Sequence, residues 1–261
     1  MNPPPFDGAL LSRIEDAGLN ASAPPQQRWV DGWLVRFSPG KAQRARCINA
    51  VAEGRLPLQR RLALCEDLYR ECGLPMLLRV TPFSRPADFD DWLAQRGFEA
   101  YGATRVMLSP ALPADPGALD ALGAGLCYEV TNSEAYAHIV GEMRGTDHDG
   151  RQAHAQRLLN SPVPYHGRVL RDRDGQVLAC AQVAVEGEVV GLYDVHTAPA
   201  ARGRGLAGWL CARLLLEAGP LGARLAYLQV DEANPARRLY RRLGFVDAYG
   251  YHYRAQPDSR R

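Results

Sequence analysis

Residues 189–217 constrain the fold of this chain more than any other stretch. Val189 to Thr197 is a β-branched and aromatic run that reads as a strand, and Pro199 ends it because proline cannot donate to a strand ladder. The loop Arg202-Gly203-Arg204-Gly205-Leu206-Ala207 then runs directly into an apolar-periodic helix bearing Leu206, Leu210, Arg213, Leu214 and Glu217. Strand, glycine-rich loop and helix in that order form an anion site. Glycines let the backbone turn and approach a ligand closely, and the first helical N–H groups favour a phosphate. Arg202 and Arg204 add two permanent positive charges. A tight turn with solvated arginines has the same appearance, so the loop alone leaves both readings open.

The loop is not a Walker A motif, because the Gly-Lys-Ser/Thr ending is missing and Lys41 is the one lysine in the chain. It is also a poor match to GxGxxG. The spacing that fits is Arg-x-x-Gly-x-Ala, formed by Arg202, Gly205 and Ala207 after a strand ending in Thr-x-Pro. This pattern resembles motif A of the GNAT superfamily of N-acetyltransferases. Downstream, Asn234-Pro235-Ala236-Arg237-Arg238-Leu239-Tyr240-Arg241-Arg242-Leu243-Gly244-Phe245 resembles the family's Asn-x-x-Ala-x-x-Leu-Tyr-x-x-x-Gly-Phe helix, with the alanine and the positions after it one place early.

The resemblance implies an acetyl-CoA-dependent N-acetyltransferase acting on a primary amine of a small molecule or peptide. The alternative is a non-catalytic acyl-CoA-binding sensor or scaffold. It further implies that Arg202, Gly203, Arg204, Gly205, Leu206 and Ala207 cradle the pyrophosphate of acetyl-CoA, and that Val195, His196 and Thr197 pair with its pantetheine arm through their main chain. Asn234 is either a contact of that arm or an N-cap before Pro235. Tyr240 matches the family tyrosine thought to protonate the departing thiolate. Phenol stays protonated at neutral pH, although a packing tyrosine would look the same.

Amine acetylation also needs a free base. With a pKa near 10.4, about one lysine-like amine in 2,500 is neutral at pH 7, and supplying that form is worth roughly 4.6 kcal/mol. Asp194 and His196 are the candidate bases on the central strand, where period 2 puts both on one face unless a bulge intervenes. Glu142, His148 and Asp149 are weaker candidates.

The expected fold class is α/β (α+β), with two GNAT-like domains, each a mixed, mostly antiparallel sheet flanked by helices. Helix 57–72, strand 76–81, helix 87–95, Gly97-Phe98 and strand 104–108 parallel helix 205–218, strand 225–230, helix 234–242, Gly244-Phe245 and strand 249–254. The expected divisions are a degenerate domain at 1–108, a linker rich in Pro, Ala and Gly at 109–124, and a catalytic domain at 125–261. The first copy has no Arg-x-x-Gly-x-Gly loop, and Leu93 stands where the second has Tyr240, so it is expected to bind no acetyl-CoA.

With 31 basic and 29 acidic residues among 261, the net charge of +2 gives no surplus for nucleic acid. No apolar run approaches the roughly 18 residues of a membrane span, and the start lacks a basic n-region and an apolar h-region, so a cytoplasmic protein is expected. Six cysteines without CxxC spacing and six dispersed histidines suggest neither a disulfide framework nor a metal site. A homodimer is compatible with this reading.

Overall fold

A computed structural model describes residues 6–38, 42–113 and 125–257. The chain forms two compact units, one of residues 1–21 and 106–248 and the other of residues 22–105 and 249–261. These units differ from linear halves, because the first helix belongs with the C-terminal residues and the last strand reaches the N-terminal unit. Much of the expected linker, residues 114–124, lies outside the described residues.

The unit built on residues 106–248 contains α1 (Gly8–Ala21), β6 (Cys127–Thr131), α4 (Ser133–Met143), α5 (His148–Leu159), β7 (Tyr165–Arg171), β8 (Val177–Glu186), β9 (Val189–Thr197), α6 (Leu206–Ala218), β10 (Leu225–Asp231) and α7 (Arg237–Arg242). Strands β6 to β9 are antiparallel neighbours, and β10 joins β9 in parallel. Local chemistry accounts for the elements. Asn132 caps α4 by accepting from Ala135 N at 2.8 Å, and Asp147 caps α5 from Gly150 N at 2.8 Å. Asp172 holds the β7–β8 turn by accepting from the amides of Asp174 and Gln176. Leu206, Trp209, Leu210, Leu214 and Leu215 of α6 pack with Val183, Val190, Leu192, Ala226 and Leu228 to form the core.

The other unit contains β1 (Gln26–Val30), β2 (Trp33–Phe37), β3 (Ile48–Ala50), α2 (Leu58–Glu71), β4 (Leu78–Val80) and α3 (Phe89–Ala94). Asp31 and Gly32, at φ 42° and 87°, make the tight β1–β2 hairpin turn. Strand β3 pairs with β4 in parallel, and its three residues are too few to show a period in the sequence. The core joins Trp33, Val35, Ile48, Leu62, Tyr69, Leu78, Phe89 and Phe98. Strands β5 (Glu99–Ser109) and β11 (Val246–Ala255) contribute residues to both units. Among the described residues no helix is long and apolar enough to cross a membrane.

Candidate active site

Parallel pairing between β9 and β10 runs from Val189↔Leu225 to Leu192↔Leu228, and no register pair follows. Beyond Leu192, β9 keeps its antiparallel partner β8 as far as Thr197, while β10 continues to Asp231. Among the described residues, one edge of residues 193–197 therefore has no strand paired to it, and a cleft of about 680 Å³ lies alongside. Its walls include Val195, His196 and Thr197 of β9, Arg202, Gly203, Gly205, Leu206 and Ala207 before and within α6, and Asn234 and Tyr240 at α7. The structure thus brings together ten of the eleven predicted coenzyme residues. Arg204 is exposed and does not line the cleft.

At the α6 end, Gly203 and Gly205 have φ of 76° and 78°, and Gly205 is the helix N-cap. Such dihedrals suit glycine because a Cβ would meet the carbonyl oxygen. No backbone carbonyl among the described residues accepts from the amides of residues 203–208. Exposed donors at a helix N-terminus fit a diphosphate. Arg202 stands beside them, its Nε 3.4 Å from the Thr197 carbonyl.

At the α7 end, Tyr240 is 8% exposed, and its ring meets Phe245 edge-on at 6.2 Å. Burial, reinforced by the Cys211 thiol, pushes its phenol well above the usual tyrosine range, so the hydroxyl keeps its proton. Asn234 accepts from Ala236 N at 2.9 Å, a turn contact that uses its carbonyl oxygen. The helix begins at Arg237 instead of the expected 234, so Asn234 holds the turn ahead of the helix.

A bulge intervenes between Asp194 and His196. Strand β9 carries an extra residue against β8, since Gln182 faces Tyr193 while Cys180 faces His196. Asp194 sits in this bulge at φ 50°. It does not line the cleft. Its carboxylate instead accepts from Gln182 Nε2 at 2.7 Å and Arg144 Nη1 at 2.9 Å, and His154 Nε2 lies 3.2 Å away. Burial would raise its pKa, but His154, Arg144 and Arg157 outweigh that and hold it well below the usual carboxylate range. His196 does line the cleft, but its Nε2 is buried and has no hydrogen-bond partner among the described residues. Burial lowers its pKa, as do Arg144 and Arg202, and a hydrogen bond to the Met143 main chain partly offsets them. The imidazole is therefore neutral at pH 7.

The weaker candidates lie apart: Glu142 pairs with Arg151, and exposed His148 with Asp149. Arg242 also lines the cleft. Its neighbours Arg237 and Arg241 are held by Asp247 at 2.7 and 3.2 Å. Among the described residues no group of three His, Cys, Asp or Glu is placed to hold a metal.

A sheet splayed beside a helix N-terminus, with the splay between two parallel strands, defines an α/β class of architecture. Residues 131–245 match the model of the acetyltransferase (GNAT) family. A GCN5-like protein acetyltransferase of Mycobacterium tuberculosis is 43% identical over 68 residues, which cover 25% of this chain and 33% of that protein. The match thus spans about a third of the relative's length. Among solved structures, a GCN5-related N-acetyltransferase from Kribbella flavida is similar at TM-score 0.67 and 19% identity, over 94% of this chain and 95% of that one. A tandem GNAT protein from the clavulanic acid biosynthesis pathway is similar at TM-score 0.58 and 14% identity, over 75% and 68%. These likenesses establish the GNAT fold.

Proposed function

We propose that the chain is an acetyl-CoA-dependent N-acetyltransferase acting on a primary amine. The observation that carries this reading is the cleft with the unaccepted amides of residues 203–208 and the Tyr240 hydroxyl on its walls. When bound, acetyl-CoA supplies an acetyl group activated as a thioester. The amides of residues 203–208, with Arg202, bind its diphosphate. The free edge of Val195 to Thr197 aligns the pantetheine arm as an added strand would and offers an N–H to the carbonyl oxygen.

His196 is the base in this reading. Its imidazole is neutral, and because its unpartnered Nε2 is buried, a water carries the amine's proton to it. Asp194 is already committed to Arg144 and Gln182, and its depressed pKa makes it a poor proton acceptor at neutral pH. Tyr240 donates the proton that the departing sulfur requires. The field around His196 from Arg144 and Arg202 also favours a neutral amine over an ammonium at that point.

The test is thiol release from acetyl-CoA across a panel of small amines and peptides, with calorimetric titration of coenzyme A on the same preparation. Coenzyme binding with amine-dependent thiol release is expected. Binding without turnover on any acceptor would favour a sensor or scaffold. Absence of coenzyme binding would remove both readings.

A further inference from the structure

We infer that Asp194 is a positioning residue, whose carboxylate ties helices α4 and α5 to the β9 bulge and thereby holds open the part of the cleft that admits the coenzyme's arm. The inference rests on the cleft being a coenzyme site, but the bulge and its ties are independent of any ligand.

A left-handed residue inside a strand persists only where its surroundings over-determine it. Four side chains do so at Asp194. Gln182, fully buried on β8, donates to Oδ2. Arg144, which follows α4, donates to Oδ1. His154 of α5 approaches Oδ2 at 3.2 Å. The hydroxyl of Tyr136, fully buried on α4, donates to the Asp194 main-chain oxygen at 3.1 Å. One residue thus joins β8, α4 and α5 at the point where β9 leaves β10. The three residues after it, Val195 to Thr197, form the cleft wall. The extra residue also shifts the register of the later residues of β9 by one position, so that His196 pairs with Cys180. Aspartate suits the position twice over, since it tolerates the left-handed region and supplies two charged acceptors.

The test needs no acceptor amine. Calorimetry compares coenzyme A with adenosine 3′,5′-bisphosphate, the nucleotide end without the arm, on wild type, D194G, D194N and R144Q. Glycine keeps the dihedral and removes the ties, so D194G separates the two. D194G is expected to lose about tenfold or more in coenzyme A affinity while nucleotide affinity stays within about twofold. R144Q should lose about threefold in the same selective way. D194N keeps an oxygen for Gln182 and should recover part of the loss. Unchanged coenzyme A affinity in D194G would overturn the inference, as would a parallel loss of both ligands, which marks a general structural defect. If wild type binds neither ligand, the coenzyme reading fails. The tie is then judged by amide exchange, which in D194G should quicken about tenfold at residues 195–197 and not at 189–192. Unchanged exchange would overturn it.

Discussion

Tyr240 carries a hydroxyl for which no described residue is a hydrogen-bond partner, on a ring that packs against Phe245. Tyr240→Phe keeps the packing and removes the donor. If the hydroxyl is the acid, turnover should fall about 10²- to 10⁴-fold while coenzyme affinity and thermal stability hardly change. A packing tyrosine predicts turnover within a few-fold of wild type. Measuring both quantities on one preparation, with chemistry shown to be rate-limiting, decides between them. His196 yields a second prediction at this scale. Its folded pKa lies below the ordinary histidine value of about 6.5, so the unfolded chain takes up the proton more readily. The stability that depends on a neutral His196 is therefore complete above the unfolded value and lost as pH falls through the window from 6.5 down to the folded pKa. His196→Gln removes that slope. Urea midpoints at pH 5 and pH 7.5 should differ more for wild type than for the variant, and equal differences would show that the imidazole is not depressed.

At the scale of elements, the cradle depends on how α6 begins. Gly205 caps the helix at φ 78°, and a side-chain-bearing residue there pays about 1–2 kcal/mol, more if β-branched. Gly205→Val should therefore pull the loop out of the anion-binding conformation and weaken coenzyme A binding about tenfold or more, since 1.4 kcal/mol is a factor of ten. Near-normal affinity by calorimetry would reduce the loop to a turn. The strand and glycine turn before α6 were legible in the sequence because glycine at fixed spacing and the strand before it are local signals: β9 runs over Val189–Thr197 as read. The bulge was not legible. Nothing in Tyr193-Asp194-Val195-His196 marks an extra residue, because the cause lies in Gln182, Arg144 and His154, which are distant in sequence. Division into units was illegible for the same reason. Which unit holds α1 or the end of β11 is settled by packing, and the helix-and-strand order shows none of it.

At the scale of the whole molecule, the parallel between the two copies of the pattern raises the question of how many coenzymes one chain binds. Strands β3 and β4 run parallel, with α2 between them in sequence, as β9 and β10 do with α6. The approaches to the two helices differ in their free donors. Before α6, the amides of residues 203–208 have no backbone acceptor. Before α2, the Asp31 carboxylate accepts from Arg55 N at 3.0 Å and Leu56 N at 2.8 Å. Those backbone hydrogen bonds, together with nearby Arg61 and Arg55, hold Asp31 below the usual carboxylate range, so it stays anionic at neutral pH. A carboxylate thus already occupies the place where a phosphate would find its donors, and its charge repels another anion. The cap of α2 is Pro57 at φ −54°, in contrast to the left-handed glycine of α6, so the backbone there does not curl into a second nest. Leu93 at the position matching Tyr240 offers no proton donor. Titration of the chain with coenzyme A should accordingly end at one molecule per chain, and Gly205→Val should remove that single binding event without exposing a weaker one. A stoichiometry of two, or residual binding in the variant that competes with inorganic phosphate, would mean that the Asp31 carboxylate yields its donors to the ligand and that the N-terminal unit is a working coenzyme site.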